Sequence, residues 1–272
     1  MKHYRTVSII VFLLLCAQNL LTAFQESAPR PRVSIITSLY KGEAFIKGFL
    51  EDMVGQTIFP ECELLIFNAD SPENEEPVIL EYCARYPNIH YTRLAQDPGL
   101  YGVWNCGVQV ARAAFVTNAN VDDRHNPEWL ERQVTVLEQN ADIALVYGDF
   151  YITSTPNMTF EEAEEQKVYC YAVPEFSPEK LRRCFMGPHP MWRRSVHEDC
   201  GYFDATFLSA GDWEFWCRMV SKGYQFKKIV GISGVFFDNP TGLSCHRDPV
   251  YQARHAAENR RIEELYQHLW SS

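Results

Sequence analysis

From Val33 onward the apolar positions switch between two periods, one suited to buried strands and one to amphipathic helices. "VSIITSLY" (33–40) is a β-branched run ending in polar residues, the pattern of a strand buried on both faces. In "EAFIKGFLEDMVGQ", Phe45, Ile46, Phe49, Leu50, Met53 and Val54 recur at helical spacing. "CELLIFNADS" (62–71) predicts a second strand whose carboxyl end turns polar, "EEPVILEYCARY" a second helix and "NIHYTRL" a short third strand. "GLYGVWNCGVQVARA" predicts another helix, and "AAFVTNAN" (113–120) the strand after it. Strand–helix alternation at this spacing predicts an α/β fold, with a mostly parallel central sheet covered by helices on both faces.

Ligands of such sheets bind beyond the carboxyl ends of the strands. Tyr40, Asn68-Ala69-Asp70 and Asn120-Val121-Asp122-Asp123 all fall there. Adjacent acids at Asp122 and Asp123 admit two readings. One is a solvated turn in which Asn126 caps a helix beginning at Pro127. The other is a divalent-metal site, since hard cations take carboxylate oxygens and offset their repulsion.

Beyond Asp149 the alternation lapses. "TFEEAEEQKVY" is an acidic run suited to a solvated loop or short helix, and Asn157-Met158-Thr159 forms a sequon. "SPEKLRRCF" predicts a short helix capped by Ser177. "DWEFWCRMVSKG" predicts an amphipathic helix stopped by Gly223.

The chain has 272 residues, of which 46% are hydrophobic and 14% aromatic, enough for a sizeable core. Its formal net charge of −10 argues against a nucleic-acid binder, though not against a nucleotide neutralised locally. Nine cysteines without C-x-x-C spacing give poor support to structural zinc, while Cys184 and Cys200 are candidates for a disulfide in an oxidising compartment. "MKHYR" followed by the apolar run 7–24 predicts a signal peptide or N-terminal signal-anchor over residues 1–24. "QESAPRPR" (25–32) is a Pro-rich linker. The N-terminal segment thus predicts membrane association, or an exported or luminal protein if it is cleaved.

In order, these segments resemble family 2 glycosyltransferases, inverting enzymes with a Rossmann-like GT-A nucleotide-sugar-binding fold. "VSIITSLYKGE" resembles that family's first strand, V-S-I-I-I-P-T-Y-N, and "FNADSPE" stands where it has D-D-G-S-x-D. "DPGLYGVWNCGVQVARAAFVTNANVDD" is similar to its G-I-Y-D-A-M-N-K-G-I…F-L-N-A-D-D run. "FLSAGDWEFWCRM" resembles the later segment ending in the catalytic aspartate. The resemblance covers residues 33–240, leaving 241–272 as a C-terminal loop and helix, with the acceptor-side subregion toward the C-terminus.

The resemblance implies a nucleotide-sugar donor, a glycan or lipid-linked acceptor, and Mn2+ or Mg2+ as cofactor. It places Asp122 at the second acid of the family's D-x-D as metal ligand and Asn120 at the first. Asp123 falls to capping the turn or orienting the metal shell. Thr37, Tyr40, Asn68, Asp70, Tyr101 and Asn105 fall on the donor side. An Asn at 68, where the family has a uracil-pairing aspartate, puts uridine specificity in doubt. Asp212 stands at the catalytic base, with His189, Trp213 and Glu214 toward the acceptor. His246 is a candidate third metal ligand. Two other functions compete. A sugar nucleotidyltransferase wants a Gly-rich phosphate loop that "TSLYKGE" lacks. A catalytically inactive binding module would account for Asn68, Asn120 and Gly211 standing where acids are common.

Overall fold

In the computed structural model, residues 30–270 are described; the predicted leader and linker residues 25–29 lie outside them. The first strands and helices follow the sequence periods. They are β1 (Val33–Leu39), α1 (Ile46–Val54), β2 (Cys62–Asn68), α2 (Glu76–Arg85), β3 (Ile89–Arg93), α3 (Leu100–Val110) and β4 (Phe115–Asn118). β1 runs parallel to β2 and to β4, and β2 parallel to β3. Alternation along β1 feeds both faces of the sheet. Val33, Ile35 and Leu39 pack into one core with Phe49, Leu50 and Met53 of α1, while Ile36 joins Tyr101, Trp104 and Val108 of α3 in the other. The β1, β2 and β4 carboxyl ends therefore open on one edge, where Asn68 and the acidic turn emerge.

The remainder comprises β5 (Arg124–His125), α4 (Trp129–Gln139), β6 (Ile143–Thr153), α5 (Phe160–Glu165), β7 (Cys170–Tyr171) and β8 (Met191–Arg193). After these come α6 (Val196–Cys200), α7 (Gly211–Ser221), β9 (Gln225–Phe237) and α8 (Pro249–Tyr266). Together the strands make a nine-stranded sheet in the order β3-β2-β1-β4-β8-β6-β9-β5, with β7 paired to β6. This is the α/β architecture with a central sheet and helices on both faces, but its second half is mixed in sense. β8 runs antiparallel to β4 and β6, whereas β6 and β9 are parallel.

Three register shifts interrupt the β6–β9 pairing, and Gly231 adopts φ +102 within β9. Such irregularities erase a clean period of two. That is why the sequence pattern lapses where these long strands run. Local details differ as well. Asn126 accepts from Glu128 N at 2.8 Å in a turn, and the helix begins only at Trp129. Residues 178–182 form a 3₁₀ turn for which Ser177 makes no side-chain cap; its hydroxyl bonds the Glu179 carboxylate instead. The acidic run forms α5 through a capping box between Thr159 and Glu162. All eight cysteines of the described residues are free, so Cys184 and Cys200 are not joined. Among the described residues no helix is long and apolar enough to cross a membrane.

Candidate active site

The acidic turn leaves the end of β4 and splits its two acids between different tasks. Asp123 points inward: Oδ1 accepts from Phe237 N at 3.0 Å and Oδ2 from Asn120 Nδ2 at 2.9 Å. Burial, reinforced by the neighbouring Asp122 charge, pushes its carboxyl well above the usual range. It ties the turn to the end of β9. Asp122 accepts from Asn239 Nδ2 at 2.9 Å, and burial raises its carboxyl too, against the lowering effect of that bond. Below the turn, Asp52 accepts from Arg124 Nε at 2.7 Å, Arg124 Nη2 at 2.6 Å and His125 N at 2.8 Å, bracing β5 against α1.

The base candidate stands on α7. Tyr101 Oη donates to Asp212 Oδ1 at 3.1 Å, joining α3 to α7. Gly211 makes this possible, because a Cβ there would lie 2.7 Å from the Tyr101 ring. A small residue at 211 thus has a packing reason. Burial raises the Asp212 carboxyl, and bonds from Trp213 N and Tyr101 offset part of that rise.

Asp212, Tyr101 and Asn120 all line one cavity of about 310 Å³, together with Leu100, Trp104 and Trp216. A further wall is aromatic: Phe150 packs 5.2 Å from Tyr171 and 6.2 Å from Phe236, ring centre to ring centre, and all three line the space. Gly187 closes on Phe150 at φ +72, where a Cβ would come within 2.6 Å of the ring.

Several residues predicted for the site are engaged elsewhere. His189 is buried beneath the acidic turn, its Nδ1 3.1 Å from Ser233 Oγ, its Nε2 3.7 Å from Asp123 Oδ2 and its ring packed against His125 and Trp129. Its neighbours Gly187, Pro188 and Pro190 line the cavity, but His189 does not. Trp213 donates to Leu181 O at 2.7 Å in the core, and Glu214 is held by Arg218 and by Tyr266 Oη at 2.6 Å. Neither lines the cavity. Asn105 clasps the Phe203 backbone through two 2.9 Å bonds, so its amide braces α3 against the loop before α7. His246 stacks on Tyr251 with ring centres 3.9 Å apart and accepts from Asp248 N. Among the described residues no three His, Cys, Asp or Glu side chains converge as a metal cluster.

Of the residues predicted for the donor side, Thr37 and Asn68 are fully buried. Asn68 Oδ1 accepts from Ser71 N at 2.8 Å and its side chain also meets Tyr91, while Thr37 Oγ1 has no hydrogen-bond partner. Asp70 sits at φ +56 and pairs with Arg93 at 3.0 Å. Tyr40 is exposed at the end of β1, with the Lys41 ammonium 5.4 Å from its ring. The sequence reading missed Glu75, whose buried Oε1 accepts from Gly42 N at 2.9 Å and Ser71 Oγ at 2.6 Å, locking the β1 and β2 loops together. It also missed His255 and Glu258 of α8, which hold the loop before Asp212.

Known proteins share this frame. The profile described as Glycosyl transferase family 2 matches residues 34–201. An uncharacterized glycosyltransferase of Bacillus subtilis, YwdF, is 25% identical over 219 residues, 78% of this chain and 76% of its own. Among solved structures, Staphylococcus aureus TarS 1-349 in complex with UDP-GlcNAc superposes with a TM-score of 0.65 at 15% identity, over 88% of this chain and 72% of that one. The mannosyltransferase PcManGT of Pyrobaculum calidifontis, in complex with GDP-Man and Mn2+, gives 0.63 at 14% identity, over 89% and 69%. The chain spans 37% of a longer TarS chain. These likenesses establish the GT-A fold.

Proposed function

The chain belongs to glycosyl transferase family 2 and is a glycosyltransferase; from that premise we propose that it moves a sugar from a nucleotide-sugar donor to a hydroxyl acceptor, with metal assistance and inversion. The observation that carries this reading is the single cavity lined by Asn120 of the acidic turn, Tyr101 and Asp212. A donor sugar held there has its diphosphate toward the turn and its opposite face toward Asp212.

The residues of the turn fit a divalent cation. Asp122 and Asp123 are adjacent desolvated acids; among the described residues no Lys or Arg pairs with either, and His189 Nε2 stands 3.7 Å from Asp123 Oδ2. A single carboxylate together with substrate phosphates is the usual donor set for Mg2+ at such sites, without a closed protein cage. Asp122 would hold the ion, which when bound supplies charge for the departing diphosphate. Asp123 keeps the turn in place.

Transfer breaks the anomeric C–O bond to the diphosphate as the acceptor oxygen bonds that carbon. Asp212 takes the acceptor's proton, and its raised basicity brings it nearer the working pH. Tyr101 orients the carboxylate. UDP-GlcNAc and GDP-Man in the neighbouring structures support the donor class. The acceptor reading remains a glycan or a lipid-linked hydroxyl. The leader predicted at residues 1–24 would bring the enzyme to a membrane, and fractionation of the full chain tests this. Wholly soluble material would remove that element.

Incubating the full chain with UDP-GlcNAc or GDP-mannose and Mn2+, with and without chelator, tests the reading. Metal-dependent release of nucleotide with inversion of the anomeric centre supports it. Turnover that ignores chelator, or a product that retains configuration, overturns it.

A further inference from the structure

We propose that the C-terminal helix α8 is a working part of the active site, and that Glu258 is the positioning residue for Asp212; this rests on Asp212 being the base. The family match ends at residue 201, so α8 lies beyond it.

The helix α7 lacks its own cap. Ala210, which precedes it, makes no side-chain cap. Glu258, from another helix, holds the backbone that leads into it. Its Oε1 accepts from Leu208 N at 2.6 Å, and its Oε2 from Ser209 N at 3.0 Å and Ala210 N at 3.1 Å. Ser209 Oγ adds a contact at 3.2 Å to the same carboxylate. Four donors on one carboxylate pin three successive residues, and Asp212 follows two residues later. Charge-assisted bonds of this kind are about twice as strong as neutral ones.

The remaining contacts show that this grip is a face of α8 and not one chance bond. His255 Nδ1 meets Ser209 Oγ at 2.8 Å, and Arg261 pairs with Asp204 at 3.0 Å while donating to Thr206 at 3.1 Å. Ile262 is fully buried, and Tyr266 Oη donates to Glu214 on the far side of Asp212. Residues 255, 258, 262 and 266 fall at helical spacing, one stripe directed at the loop and helix start that carry the base. Within α8 only Ile262 is fully buried, and Tyr266 packs against the core at its end. Polar contacts with residues 204–214 hold it, so displacing α8 and releasing the base are one event. Ser209 also lines the cavity, which carries the grip to the cavity wall.

A misplacement of about 1 Å in a catalytic group costs on the order of 100-fold in rate. The test compares wild type with Glu258→Gln, which keeps volume and one acceptor oxygen, and with Glu258→Ala. Hydrogen–deuterium exchange is read across residues 204–214, and kcat, KM and UDP affinity are read with UDP-GlcNAc or GDP-mannose and Mn2+. The expected result is faster exchange confined to 204–214 and kcat lower by about 10- to 100-fold in Glu258→Ala, with partial recovery in Glu258→Gln and unchanged UDP affinity. Unchanged exchange overturns the proposal, as does released exchange with wild-type kcat. Asp212→Asn run in parallel separates the two failures. If it stays fully active, the base reading falls, while exchange still reports on the grip of Glu258.

Discussion

The Tyr101 hydroxyl donates to Asp212 Oδ1 at 3.1 Å across 111 residues of sequence, and Gly211 is what lets the ring approach. The bond favours the ionised carboxylate, opposing the burial that raises it. Asp212 must be ionised to accept a proton. Tyr101→Phe should therefore raise its pKa further and move the acid limb of the kcat–pH profile to higher pH. With a hydrogen bond to a charged group lost, kcat at neutral pH should fall about tenfold. An unmoved limb would mean that the bond does not act on the base.

Asp122→Asn should leave the melting temperature nearly unchanged, because Asn239 can still bond its side-chain oxygen. Its effect belongs to the cation. UDP or GDP binding, titrated calorimetrically with Mn2+, should weaken in the variant and in wild type treated with chelator. Equal affinity in all three samples would remove Asp122 from metal binding.

Gly187→Ala tests the aromatic wall. The added methyl group would come within 2.6 Å of the Phe150 ring at a backbone φ of +72. The combined strain and overpacking should cost about 1–3 kcal/mol in denaturant unfolding. A variant of wild-type stability would mean the 184–190 loop relaxes freely.

His125 sets an acid limit on the fold. Burial lowers its pKa to about 3, with the nearby Arg124 charge adding to the effect. Asp52 Oδ2 is 4.0 Å from its Nδ1, and the His189 ring packs 4.8 Å away. The unfolded chain takes up a proton on this side chain near pH 6.5, whereas the folded one refuses it down to about 3. Stability from this group is thus complete above about pH 6.5 and declines as pH falls through that window. Neither ring nitrogen has a hydrogen-bond partner, so His125→Phe loses no bond. Its melting temperature should fall less between pH 7 and pH 5 than that of wild type. Parallel slopes would assign acid sensitivity to other groups.

The parallel half of the fold was legible because each strand and its covering helix are local and regular; Ile46, Phe49, Leu50 and Met53, spaced as a helix, are all buried. The mixed half was not, since β8 has three residues and β9 carries a positive-φ glycine that breaks alternation. Tyr101, Asn120 and Asp212, singled out in the sequence, do line one cavity, but side-chain direction was less legible. Along α7, Asp212 and Trp216 are four apart and line the cavity together, while Trp213 and Glu214 are rotated away by roughly 100° per residue. Helical geometry applied to "GDWEFW" separates them. Asn105 and His189 had no such signal, because their partners Phe203 and Ser233 are distant in sequence. Glu258 was invisible for the same reason, on a helix whose apolar periodicity is weak.

The central claim, that Asp212 is the base of a glycosyl transfer, is tested most directly by Asp212→Asn, with transfer kinetics, nucleotide binding and thermal melting measured on one preparation. Asn keeps the size and the Tyr101 bond but cannot take the acceptor's proton. The account predicts a rate lower by roughly 10²–10⁴-fold with near-normal nucleotide affinity and a folded protein. A variant that melts early yet turns over at the wild-type rate per folded molecule would contradict it, leaving Asp212 as no more than the acid that begins α7.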